Sequence, residues 1–172
     1  HFHPDATMPT LLLYIEEHDL WKNTLPHSKE IGAAIGEYPM TFEMWEKLAA
    51  LFEDEGDFQK LVEKGTILRA YIDKHVAELA TFAEPVDFEA HEVYAVNCAR
   101  PYRSALGNLL AERHPPFAIV WYRYDGAFHI SLRSIGDFDV ATIAEKYGGG
   151  GHKRAASFRV QKWEDLPFRF DT

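Results

Sequence analysis

The sequence predicts an α/β protein in which a helical N-terminal portion is followed by a small mixed α/β domain. Two observations carry this. From Pro9 to Ala83 the apolar residues recur every three or four positions, the helical period. From Val86 onward that period gives way to short apolar runs with a strong hairpin signal, Asp125-Gly126, and intervening helical stretches. The change falls at Pro85, so the expected division is a helical portion, 1–84, and an α/β portion, 85–172.

The helices are expected in the following order. Pro9 suits a first helical turn and is followed by Leu11, Leu12, Leu13 and Ile15; Ser28 reads as an N-cap before Lys29–Ile35, with Gly36 near the end. Thr41 caps a third helix carrying Phe42, Trp45, Leu48 and Leu51 on one face. Phe58, Leu61, Val62, Leu68, Ile72, Val76 and Leu79 line a long helix, weakened at Gly65, that Pro85 stops. In the second portion, Val93–Val96 reads as a buried strand, Arg103–Glu112 as a helix, and Ala118–Tyr124 and Phe128–Leu132 as a hairpin. Asp137 and Asp139 then precede a helix, Val140–Tyr147, and Ala155–Val160 closes the series as a strand.

Composition narrows the function classes. With 47% hydrophobic residues in 172, the chain can bury a proper core. No apolar run approaches the roughly 18 residues of a membrane span, and the N-terminus lacks a signal pattern, so a cytoplasmic location without a membrane partner is expected. The single cysteine, Cys98, reads as a small buried hydrophobe and excludes disulfides within the chain. The net charge of −9 argues against a nucleic-acid partner until it is divided. Residues 1–96 carry 19 acids against 7 Lys and Arg, whereas residues 97–172 carry 8 against 11. A phosphate-bearing ligand therefore belongs with the second portion.

Four stretches could carry chemistry. The run EKYGGGGHKRAASF, Glu145–Phe158, sets four glycines before His152, Lys153 and Arg154. Glycines admit positive φ and close backbone approach, so Gly148, Gly149, Gly150 and Gly151 are expected to curl their N–H groups toward an anion that His152 and Arg133 also reach. The alternative is a flexible turn between helix and strand. In SLRS, Ser131–Ser134, Arg133 beside Ser134 at a strand end can grip a phosphate through paired donors, or simply be an exposed arginine. Asn97, Arg100, Arg103, Ser104 and Asn108 could line a cleft at a strand's carboxyl end or cap the helix. EEHDLW, Glu16–Trp21, offers metal-type ligands but equally a solvated helix end; His1 and His3 also invite a metal reading.

The stretch SLRSIGDFDVATIAEKYGGGGHKRAASF, Ser131–Phe158, resembles the signature of the DHHA1 domain, the C-terminal domain of DHH phosphoesterases. NCARPYRSALGNLLAE, Asn97–Glu112, resembles the strand-to-helix segment of the same domain, and Ser157 stands where the family usually has another glycine. The first half, HPDATMPTLLLYIEEHDLW with LPHSKEI and the long helix after it, resembles exopolyphosphatase-related and oligoribonuclease-like phosphohydrolases of that superfamily. The resemblance implies two manganese ions in the full-length enzyme, with Asp19 as the position best matching a late aspartate ligand, although the local pattern departs from the commoner Asp-Thr-Gly form.

No Asp-His-His triplet occurs in the chain. A water activated between two metals needs those ligands. The resemblance therefore implies the C-terminal, substrate-binding portion of a larger enzyme, inactive alone, holding no catalytic residue and binding no manganese tightly. Arg133, Ser134, Gly148–Gly151 and His152, with Asn97 and Arg100 alongside, would hold the phosphate of a nucleotide, short oligonucleotide or other phosphate ester. The expected partners are the N-terminal DHH domain, the substrate and a second copy of the chain. The competing expectation is a non-catalytic nucleic-acid-binding or interaction module, because DHHA1-like domains are also appended to alanyl-tRNA synthetases.

Overall fold

The computed structural model describes residues 8–19 and 24–170. His1, His3 and the Leu20-Trp21 end of the EEHDLW stretch lie outside them. The chain divides into two compact units, one ending at Ile72 and the other beginning at Asp73.

In the first unit, α1 (Thr10–Asp19) packs against α2 (Ser28–Ile35) and α3 (Phe42–Glu53), and the first part of α4 (Glu55–Leu79) shares their core. Leu11, Ile31, Leu48, Leu61 and the rings of Tyr14 and Phe52 are buried there. Thr41 caps α3 as expected, its Oγ1 accepting from the Met44 N–H at 3.3 Å. Ser28 does not cap α2; His27 holds that position in a left-handed conformation, and Ser28 is the first helical residue. Gly65 does not weaken α4, which runs unbroken through it. A Cβ at Gly65 would stand 1.9 Å from the Glu30 carbonyl oxygen, so the missing side chain lets two helix backbones touch.

The second unit is built on one six-stranded sheet, formed by β1 (Glu84–Phe88), β2 (His91–Asn97), β3 (Phe117–Tyr124), β4 (Ala127–Ser134), β5 (Gly150–His152) and β6 (Ala155–Val160). Its order is β1-β2-β3-β4-β6-β5. Only the β2–β3 pair is parallel among these strands, and α5 (Arg103–Arg113) makes that crossover. Phe117, Ile119, Ile130, Leu132, Ala156 and Phe158 face α6 (Ala141–Lys146) and the C-terminal residues Leu166 and Phe168, forming the main core. The alternate residues of the same strands face α5, because successive strand side chains point to opposite sides.

Two strands were not legible in the sequence. β1 joins β2 through Glu89 and Ala90, both at positive φ (52° and 61°), a turn without the Asn or Gly that advertises one. β5 is built of two glycines and a histidine, a composition that reads as loop. The boundary between units lies inside α4, before Pro85. Val76 and Ala80 are buried, and the 3₁₀ turn Ala80–Phe82 packs against α5, so the end of the long helix belongs to the sheet's unit. No helix of the described residues is long and apolar enough to cross a membrane.

Candidate functional site

The strand registers place Ala118, Arg133, Ala155 and His152 in one row across β3, β4, β6 and β5, and Val120, Ser131, Ser157 and Gly150 in the next. Both rows face α5. The helix covers β3 and β4. On the β6 and β5 side the floor consists of small residues: Ala155, Ser157 and Gly150. Ser157 and His152 are exposed, and a Cβ built on Gly150 would meet nothing within 4 Å.

Arg133 forms the wall of this floor. It is only 7% exposed. Its stem runs beneath Gly107 of α5, where a Cβ would lie 2.7 Å from the Arg133 Cγ, so a glycine in mid-helix makes room for it. Its Nη1 donates to the Leu132 carbonyl at 2.8 Å and its Nη2 to the Ser104 hydroxyl at 3.0 Å. Its buried Nε has no hydrogen-bond partner among the described residues. Burial, and secondarily the neighbouring Arg103, pull the guanidinium down to about 10, still cationic at neutral pH. The first turn of α5 holds no acid, and its positive dipole end adds to the charge of Arg103 and Arg133. A buried cation held among the described residues by neutral acceptors is an unbalanced charge, which an anion on the adjacent floor could balance.

The glycine run differs from the expected nest. Gly148, at φ 71°, and Gly149 donate to the carbonyls of Glu145 and Ala144, closing the C-terminus of α6 in a Schellman motif. Their N–H groups are committed to the helix. Gly149 and Gly151 are required by packing, since Cβ atoms there would stand 2.1 Å from the Ser157 oxygen and 2.5 Å from the Ala155 oxygen. Only Gly150 is left unexplained by the fold, with ordinary φ and open space.

The other expected ligands separate. Ser134 faces the opposite side of the sheet from Arg133, buried, with its hydroxyl donating to the carbonyls of Phe138 and Lys153. It is a structural pin. Asn97, in register with Trp121 on that same opposite side, donates its amide to the Trp121 carbonyl at 3.0 Å. Arg100 is exposed in the 3₁₀ turn that precedes α5, one turn before Arg103. Lys153 reaches Asp137 at 3.0 Å and Arg154 the Gly136 carbonyl at 3.1 Å, both turned toward that loop. Cys98 is buried, its thiol pushed up to about 11 by desolvation, which fits the inert reading. Ser131, Ser157 and Ser104 were missed or undervalued; pairing register, invisible before the strands are aligned, is what brings them in.

A two-metal site does not fit the described residues. The Glu17 carboxylate is buried and accepts from the Thr24 N–H and hydroxyl, both at 2.6 Å, and from the Leu25 N–H at 3.1 Å, which ties the chain after α1. Asp19 stands exposed at the end of α1. No group of three His, Cys, Asp or Glu suited to a metal occurs among the described residues.

The DHHA1 domain model matches residues 99–170. The matched segment lies within the second unit, which is similar to DHHA1 domains. Over 165 residues the chain is 29% identical to an uncharacterised protein of Acanthamoeba polyphaga mimivirus, covering 91% of this chain and 38% of that one. Over 63 residues it is 42% identical to the oligoribonuclease NrnB of Bacillus subtilis strain 168, covering 36% of this chain and 16% of the other. The chain thus spans well under half the length of these relatives. A solved pGpG-specific phosphodiesterase, PggH from Vibrio cholerae, matches with a TM-score of 0.51 at 13% identity, over 92% of this chain and 64% of that one, a likeness of fold.

Proposed function

We propose that this chain is the substrate-binding portion of a manganese-dependent phosphoesterase acting on short oligonucleotides or nucleotides, with the metals and the activated water supplied by a DHH domain outside these 172 residues. The observation that carries the reading is Arg133: a buried guanidinium with neutral partners, an orphaned Nε and a shallow floor of small residues beside it. The DHHA1 match and the oligoribonuclease and phosphodiesterase names of the relatives support the substrate class. Arg133 would supply charge and donors to a phosphate oxygen, Ser157 and the open backbone at Gly150 would let the ester approach, and His152 would close the outer side. Asp19 is the residue proposed to reach a metal held mainly by that other domain. The chain alone is then inactive toward a dinucleotide in the presence of manganese, and chelator-sensitive turnover by the purified 172-residue chain would contradict this.

Calorimetric titration of a mononucleotide into the wild type, Arg133→Ala and Lys74→Ala tests the phosphate reading. Removing Arg133 is expected to cost about 1.5–3 kcal/mol of binding, the range of a hydrogen bond to a charged group. Lys74, exposed on α4, is expected to change nothing measurable. Equal affinity of wild type and Arg133→Ala would return the glycine run to the role of a turn.

A further inference from the structure

Beyond the phosphate floor, the face beneath α5 continues into a third row that no phosphate contact explains. Tyr122 of β3, His129 of β4 and Arg159 of β6 are directly in register there. They share the α5 face because 129, 131 and 133 alternate along one strand. The Tyr122 and His129 rings lie stacked, with centroids 5.0 Å apart and planes 10° apart. Both are half-buried, whereas Arg159 is exposed. Tyr124 adds a further exposed ring, 6.0 Å from His129.

Arg103 joins this row to the phosphate floor. From the first turn of α5 its Nη1 donates to the Tyr122 hydroxyl at 3.4 Å, and the same side chain is near enough to Arg133 to lower its basicity. The face therefore runs from a buried cation, past the exposed Ser157, to rings flanked by guanidinium groups, with Ser131 buried beneath α5. A bare phosphate ester would use only the first part. Aromatic rings beside a cationic track are how proteins hold the bases of single-stranded nucleic acid, since every base offers a π-face.

Resting on the phosphate reading above, we propose that the Tyr122–His129 stack is a nucleobase platform, so that this face selects nucleotides over phosphate esters lacking a base. The base lies against the exposed side of the stacked rings and its phosphate lies toward Arg133, with Arg159 at the open edge. Tyr122 and His129 are specificity-determining residues, and no reaction step passes through them.

The test compares adenosine 5′-monophosphate with ribose 5-phosphate, which keeps the sugar and phosphate but lacks the base, by calorimetry on the purified chain. The wild type is expected to bind the nucleotide about tenfold more tightly, since base stacking contributes about 1–3 kcal/mol and 1.4 kcal/mol is tenfold. Tyr122→Ala should bring the two affinities together. Tyr122→Phe, which keeps the ring and loses the Arg103 contact, should retain the preference. Thermal melts establish that each variant folds; should Tyr122→Ala not fold, His129→Ala gives the same comparison. A nucleotide preference that survives loss of the ring overturns the platform, as does equal binding by the wild type. Arg133→Ala should weaken both ligands; if it weakens neither while the preference persists, the phosphate reading fails and the platform stands.

Discussion

The two faces of the sheet are built on opposite terms. Toward α6 the strands present Phe117, Leu132 and Phe158 to a closed aromatic and aliphatic core, where the Ser134 hydroxyl is held by two carbonyls. Toward α5, beyond the helix, they present Ser157, Gly150 and a cation held by neutral acceptors. Arg133 and Ser134 are neighbours in sequence, yet the strand's twofold alternation sends one to the ligand face and the other to the core. A motif read along the chain, SLRS, is thus half site and half scaffold.

The glycine run divides in the same way, and the largest expected effect tests that division. Gly149→Ala would drive a methyl to 2.1 Å from the Ser157 oxygen and 2.6 Å from the Phe158 Cβ. Backbone must shift, at a cost of about 1–3 kcal/mol or more for such overpacking. Gly150→Ala meets nothing within 4 Å and should leave the melting temperature within the small range of a surface change, about ±0.5 kcal/mol. Its methyl would, however, stand on the phosphate floor, and mononucleotide affinity should fall severalfold. Thermal melts and titrations of the pair decide this; a Gly150→Ala protein with unaltered affinity would remove that residue from the site.

A middle-sized effect is expected at Gly107, where the two sides of α5 meet the question differently. Alanine improves the helix by up to about 1 kcal/mol, while its Cβ falls 2.7 Å from the Arg133 Cγ. The overlap falls on the Arg133 Cγ and Cβ, the part of the stem nearest the strand, so relieving it shifts the whole side chain and draws the guanidinium away from Ser104, offsetting the helical gain. Stability should change little and phosphate binding should drop about tenfold, toward the loss expected of a misplaced charged donor. Lower stability with full affinity would mean that the helix, rather than the arginine, gives way.

Most of the fold was legible in the sequence because period and punctuation agree: Thr41 caps α3, Asp125-Gly126 turns the β3–β4 hairpin, the helical period marks the first helices, and short apolar runs mark the central strands. Where local chemistry was silent the reading failed. The Glu89-Ala90 turn lacks a turn residue, Ser28 has a good capping side chain at the wrong position, and β5 is too rich in glycine to announce a strand. Of the expected site, Arg133, Gly150 and His152 come together on one face. Ser134 and Asn97 do not, because their side of the sheet depends on a register that no local pattern specifies. The rows Ser131–Ser157 and Tyr122–His129 were hidden for the same reason.

The smallest expected effect lies at the clasp that holds α6, and with it the glycine run, to the β1–β2 turn. The Glu89 carboxylate accepts from Lys146 Nζ and, at 2.7 Å, from the Tyr147 hydroxyl. Those hydrogen bonds, Lys146 first, hold the carboxyl below its usual range, while burial and then Glu89 push the Tyr147 phenol up to about 12. The carboxylate's contribution is present above the ordinary carboxylate range and is lost as pH falls through its lowered value. The phenol's contribution is present below its ordinary value of 10 and is lost as pH rises toward 12. The clasp therefore stabilises across the neutral range and weakens at both ends. The lysine is exposed, so Glu89→Gln should cost at most about 1 kcal/mol near neutrality, and the two melting curves should converge in acid. In alkali, the phenolate absorbance lost in Tyr147→Phe should be that of a late-titrating group in the wild type. A gap between wild type and Glu89→Gln that stays constant into acid would show that the carboxylate's charge contributes nothing, and that the Glu89-Ala90 turn is held by its backbone alone.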